Sequence, residues 1–168
     1  MPVTIIHIPS SALVILAGAA GAGKSTFARA HFQATEILSS DFFRGMVSDD
    51  ESAQDATADA FDLLHRALEK RLARGKLCVV DATNARAAYR AGLLEQARRF
   101  GRPAVAILFE TPGDVCVERA ASRSTRMVRA EVVWRQLADL KNGFGGAEEG
   151  FEEVFRVKPA DQVEIRRV

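Results

Sequence analysis

Cysteine is nearly absent from this 168-residue chain, which carries only Cys78 and Cys116. Both lie inside apolar segments, which excludes a disulfide framework and suits reduced thiols in a cytoplasmic setting. No apolar run approaches the ~20 residues a membrane span needs. The longest, residues 12–22, is broken by Gly18 and Gly21. Residues 1–11 have no basic start, so no secretory signal is expected. Net charge is only +1, so the molecule as a whole offers no broad surface for a polyanion. Histidine is limited to His7, His31 and His65, with no metal-like spacing, so no protein-bound zinc is expected. Lysine is scarce too, at 5 against 18 arginines. A GC-rich genome accounts for much of that bias and for the 28 alanines, so only clustered arginines carry weight.

What remains is ample for a core. Hydrophobic residues make up 48% and charged residues 27%, which rules out disordered and fibrous classes. At this length a single domain over residues 1–168 is expected, with roughly two thirds of the unfolded surface buried. Strand-length apolar runs recur at 13–17, 36–39, 77–81 and 104–109, with a weaker one at 154–157. Helical spacing fills the gaps. Over residues 57–73, Ala60, Leu63, Leu64, Ala67, Leu68 and Leu72 form one stripe, and Gly75 follows as a stop. Further helices are expected at 86–100, 114–122 and 128–141. Such alternation predicts an α/β fold with a parallel sheet covered on both faces.

Gly18-Ala19-Ala20-Gly21-Ala22-Gly23-Lys24-Ser25 matches G-x4-G-K-[ST] between a buried strand and a helix beginning near Thr26. Glycines let the backbone wrap a phosphate with its N–H groups turned inward, and the helix dipole adds positive potential there. Lys24 is expected to bridge the β- and γ-phosphates of a nucleoside triphosphate, and Ser25 to ligate Mg²⁺. The Asn-Lys-x-Asp tetrad of guanine-specific switches is absent. The strand 77–81 ends in Asp81-Ala82, with alanine where motor and AAA-type ATPases place a water-activating acid. Transfer to an acceptor other than water is therefore favoured.

Asp41 follows the short strand at 36–39, where ligands meet an open parallel sheet. It has two open roles: general base on an attacking hydroxyl, or N-cap of a helix with Arg44 as a solvated partner. Arg119, Arg123 and Arg126, with Arg129 beyond, are spaced to share a helical face or its fraying end. A shared anion would relieve their repulsion, and a solvated basic edge is the alternative. Ser122, Ser124 and Thr125 interrupt the helix there, as in a lid loop. Asp81 is a candidate for holding a metal-bound water, or simply a cap. Asn84 fits the crevice and a strand-to-helix turn equally. The acidic run at 49–51 with Asp55 and Asp59 reads as a solvated loop and helix start. Trp134, at helical spacing from Val133, Leu137 and Leu140, is expected in the core rather than as a base-stacking platform.

The phosphate loop, the block Ser39-Ser40-Asp41-Phe42-Phe43-Arg44-Gly45, and the runs Val79–Asn84 and Val115–Arg119 together resemble the kinase domain of bacterial polynucleotide kinase-phosphatases. The resemblance implies a P-loop kinase fold with strand order 2-3-1-4-5 and a helical lid. It implies ATP and Mg²⁺ held by Gly18–Thr26, with Asp81 reaching the metal through water. Asp41 would be the base on a 5′-hydroxyl end of RNA or DNA, and Arg44 would orient that end. Arg119 and Arg123 would clamp the donor phosphates, with Arg126 beside them. Phosphatase and ligase domains of a larger parent enzyme are implied partners. Ala19, Ala20 and Ala22 replace serines common in relatives, at little cost because main-chain N–H groups do the binding. Phe43 replaces a smaller residue, which would narrow the acceptor pocket. Without a basic groove, weak salt dependence is expected.

Overall fold

The computed structural model describes residues 2–123 and 126–168. Along the chain run β1 (Val3–Ile8), β2 (Leu13–Ala17), α1 (Lys24–His31), β3 (Ile37–Ser39), α2 (Ser40–Ser48) and α3 (Thr57–Ala73). β4 (Cys78–Asp81), α4 (Ala87–Arg99), β5 (Ala104–Phe109), α5 (Gly113–Ala121), α6 (Ala130–Gly143), β6 (Glu153–Val157) and β7 (Gln162–Arg167) follow. No helix among the described residues is long and apolar enough to cross a membrane.

Five parallel strands form one sheet in the order β3-β4-β2-β5-β6. Numbered without β1 and β7, that order is the expected 2-3-1-4-5. Strands β2, β4 and β5 are buried at every residue, because helices cover both faces. The alternation of side chains splits the core in two. Val14 and Leu16 join Phe27 of α1 and Cys116 and Ala120 of α5 on one face. Leu13 and Ile15 join Leu64, Leu68 and Leu72 of α3 and Leu93 and Leu94 of α4 on the other. Each fully buried leucine of that stripe contributes ~1.5–3 kcal/mol. The sheet changes direction at β2, between β4 and β5, and the crevice at its carboxyl end is where ligands bind in such sheets.

The chain ends fold in a way the sequence patterns do not announce. β1 and β7 pair in parallel as a separate two-stranded sheet, with Ile6 and Ile8 packed into the α1–α5 face. Arg167 of β7 donates a fork to Glu36, Nη1–Oε1 2.6 Å and Nη2–Oε2 2.7 Å. Glu36 closes a short 3-10 turn at Ala34–Glu36, which is why the third strand starts one residue later than expected. Burial alone would raise the Glu36 carboxyl, but the Arg167 fork, the Gln33 N–H and the charges of Arg167 and Arg71 outweigh it and hold the group below its ordinary value. A carboxyl depressed in the fold stabilises above its unfolded pKa, and that stability is lost as pH falls through the folded value. Arg167→Ala is expected to cost about 1 kcal/mol at pH 7, the pair being partly exposed. It should also flatten the loss of stability below pH 4.5, the ordinary glutamate value. Thermal melts across that range check this; identical pH slopes in both proteins would count against it.

Trp134 corrects its expectation. It is 53% exposed, because α6 buries Val133 and Leu140, and position 134 sits a further ~100° around the helix. Its ring lies over Gly113, where an added Cβ would come within 2.2 Å of it.

Candidate active site

The phosphate loop leaves β2 and enters α1 through two left-handed glycines, Gly21 (φ 80°) and Gly23 (φ 102°). A Cβ on Gly21 would fall 2.3 Å from the Cys116 carbonyl, so only glycine lets the loop lie against α5. Thr111 Oγ1 donates to the Ala22 carbonyl, and the Gly18 N–H to the Thr83 carbonyl, fixing the loop on both sides. Lys24 is buried, and its Nζ donates to the Gly18 and Ala19 carbonyls at 2.8 Å each. Burial lowers its pKa to about 8, with Asp81 opposing the shift and Arg123 adding to it. Ser25 Oγ donates to Asp81 Oδ2 at 2.6 Å, so the hydroxyl and the strand-end carboxylate form one oxygen pair beside the loop. Besides that of Gly18, two loop amides are engaged: Ala22 N–H with the Ala19 carbonyl, and Ala20 N–H with Gln136 Oε1 of α6 at 2.9 Å.

Asp41 is the second residue of α2, and the cap is Ser39, whose Oγ accepts from the Phe42 N–H. The capping role open in the sequence is thus filled by another residue. The Asp41 carboxylate instead accepts from three guanidinium groups: Arg44 Nη1 at 2.7 Å, Arg126 Nη1 at 3.0 Å and Arg123 Nη2 at 3.3 Å. Arg44 is buried rather than solvated, and its Nε donates to the Thr57 hydroxyl at the start of α3. Of the arginine cluster, Arg123 and Arg126 thus meet an anion of the protein itself. Arg119 sits near the loop at Gly23, 3.9 Å from where a Cβ would stand. Arg129 is the exposed N-cap of α6 and takes no part. Ser122 caps α5, while the interruption expected at Ser124 and Thr125 lies outside the described residues. Phe43 also departs from expectation: it is buried in the α3–α4 core and does not narrow the pocket. Asn84 is held within its turn (φ 48°), its amide donating to the Leu16 and Ala82 carbonyls.

Two cavities meet here. A larger one of about 1640 Å³ opens over the phosphate loop, Arg119 and the segment after β6. A second of about 660 Å³ runs between α3, α4 and the loop after β4. The residues lining both are Lys24, Ser25, Asp41, Asp81 and Arg123. Gln136, His65 and Tyr89 line the second cavity and were missed in the sequence, since no spacing or motif marks them.

A family model described as an AAA domain matches residues 13–146. The chain belongs to that family. A comparison with curated proteins finds no match for this AAA-domain chain. Among solved structures it is similar to a chain of the Pnkp1/Rnl/Hen1 RNA repair complex, with TM-score 0.63 and 23% identity, covering 82% of this chain and 45% of that one. It is similar to a gluconokinase from Sinorhizobium meliloti 1021 (TM-score 0.53, 20% identity, 92% and 86% covered). It is also similar to the Mycobacterium tuberculosis APS kinase CysC (0.56, 19%, 91% and 91%). The fold is that of P-loop kinases, with a nucleotide-binding loop at its usual place.

The lowered Lys24 pKa makes nucleotide binding pH-dependent. A bound triphosphate favours charged lysine, so binding must restore the proton once pH exceeds about 8. Affinity is expected to fall above that pH by up to about tenfold per unit, the linkage limit for one proton. Titration with a fluorescent nucleotide from pH 7 upward checks this. Lys24→Met should bind weakly and lose the slope; a slope that persists in the variant would exclude Lys24 as its origin.

Proposed function

We propose that this chain is an ATP-dependent polynucleotide kinase that phosphorylates the 5′-hydroxyl end of RNA or DNA, with residues 1–168 acting as one kinase domain. The observation that carries the reading is the position of Asp41, on the common wall of the two cavities and beside the loop lysine. A hydroxyl entering from the smaller cavity gives its proton to Asp41 as its oxygen attacks the γ-phosphorus, and ADP leaves along the loop. Lys24, with the free amides of Gly18–Thr26, holds the phosphates; Arg119, Arg123 and Arg126 meet the charge on the transferring group. The Ser25–Asp81 oxygen pair fits Mg²⁺, Ser25 directly and Asp81 through water; the ion would supply neutralisation of the phosphate charge. Arg44 locks the Asp41 carboxylate and orients the acceptor end. The Ser-Ser-Asp-x-x-Arg-Gly block supports a polynucleotide acceptor, and phosphatase and ligase domains in a larger parent enzyme fit a cytoplasmic repair role.

The bounded volume of the smaller cavity favours one alternative, a small-molecule hydroxyl such as a nucleoside or sugar. Incubation with γ-labelled ATP, Mg²⁺ and a 5′-hydroxyl oligonucleotide distinguishes them, with a 5′-phosphorylated strand and free nucleosides as controls. Label on the 5′-hydroxyl strand alone is expected. Label only on a small molecule selects the alternative, and nucleotide binding without transfer overturns both in favour of a non-catalytic ATP-sensing module.

A further inference from the structure

The smaller cavity is electrically lopsided. Its cations, Lys24, Arg44, Arg123 and Arg126, all belong to the transfer point around Asp41. Beyond them its wall is a stripe of α3, with Ala58, Phe61 and His65 at helical spacing. His65 lies eight residues along α3 from Thr57, the partner of Arg44, and so ~12 Å along the helix axis from it. Among the described residues lining the cavity, no cation stands beside His65 and Tyr89, and Arg86, 6.0 Å from the Tyr89 ring centroid, is already paired with Asp139. An anionic moiety has no partner at the far end; an uncharged ring with hydrogen-bonding edges does.

Resting on the kinase reading above, we infer that the far end of the acceptor cavity is a subsite for the nucleobase of the terminal nucleotide, with His65 and Tyr89 as its specificity-determining residues. Gln96 Nε2 meets His65 Nδ1 at 2.7 Å, which leaves Nε2 as the ring nitrogen available to a base edge. Burial lowers the His65 pKa, with Asp62 opposing, which keeps the ring neutral and suited to a neutral partner. Tyr89 stands at the cavity mouth 58% exposed, a half-open aromatic face on which a base can stack. Neither residue touches the phosphate loop, so each acts on the acceptor and not on the donor.

The test compares two 5′-hydroxyl oligonucleotides, identical except that the terminal residue of one lacks its base. The wild-type protein is expected to favour the intact end by about tenfold or more in kcat/KM, the worth of one hydrogen bond plus stacking. His65→Ala and Tyr89→Ala should each lower kcat/KM on the intact end several-fold while leaving the abasic end unchanged. Tyr89, being exposed, supplies the variant least exposed to folding defects. Equal wild-type rates on both ends overturn the subsite while leaving the kinase reading intact. Variants that slow both ends equally also overturn it. Failure to label any 5′-hydroxyl end overturns the kinase reading, and the subsite with it.

Discussion

Asp41→Asn is expected to lower phosphoryl transfer by about 10²- to 10⁴-fold, the range for removing a positioned general base. Nucleotide affinity should hold or tighten. In the wild-type protein the Asp41 carboxylate neutralises part of the charge on Arg44, Arg123 and Arg126. An amide there leaves those guanidinium groups without their anion, and a triphosphate arriving in the adjoining cavity meets a stronger positive potential. The two effects have opposite sign, which separates a base from a merely structural carboxylate. Loss of a structural carboxylate would loosen α2 and the arginine cluster together, weakening binding as well as turnover. Single-turnover transfer and equilibrium nucleotide binding on the same preparation read both. Turnover within about threefold of wild type would remove Asp41 from the chemistry. The pattern also bears on Arg123: it bonds to Asp41 and lines the larger cavity over the phosphate loop, so it is placed to exchange a carboxylate for a phosphate oxygen.

The phosphate loop was legible because its chemistry is local: eight successive residues, with a strand before them and a helix after. The sheet was legible for a related reason, since β2, β4 and β5 are apolar at nearly every position and cannot face water. Asp41 and Arg44 were legible as a pair because a helix brings positions three apart together. What the sequence hid was long-range. Gln136 reaches Ala20 across 116 positions, and Arg167 reaches Glu36 across 131. No periodicity encodes such contacts. Trp134 shows the limit of periodicity itself: three apolar neighbours at helical spacing place a stripe, but a residue at its edge turns outward when the facing element offers only Gly113. The anion expected for the clustered arginines was a transferring phosphoryl group; that Arg123 and Arg126 also meet the Asp41 carboxylate depended on where α2 begins relative to the end of α5.

The largest effect on stability is expected at Arg90, in the first turn of α4. Its side chain is fully buried and its donors are engaged on several sides. Nε and Nη2 form a fork with Glu149 at 2.8 and 3.0 Å, Nη1 meets the Asn84 and Ala85 carbonyls, and Nη2 meets the Gly143 carbonyl. The guanidinium also lies 4.8 Å from the Phe144 ring centroid. One cation thus ties the turn after β4, the start of α4 and the end of α6 together. Arg90→Met strips three carbonyls of their Arg90 donor and leaves the Glu149 carboxylate only the Gly145 N–H, and breaking a buried pair from one side costs about 3–5 kcal/mol. For a protein of this size that is a fall of about 10 °C in Tm. Arg90→Lys should rescue little, because an ammonium cannot reproduce a planar fork with five donors. Adding Glu149→Gln to Arg90→Met should recover part of the loss, since the stranded charge is then gone. A single variant melting within 2–3 °C of wild type would mean that water replaces the guanidinium with ease. Because Asn84 and Ala85 adjoin Thr83, which lines the smaller cavity and whose carbonyl holds the Gly18 N–H of the phosphate loop, the destabilised variants should also bind nucleotide more weakly.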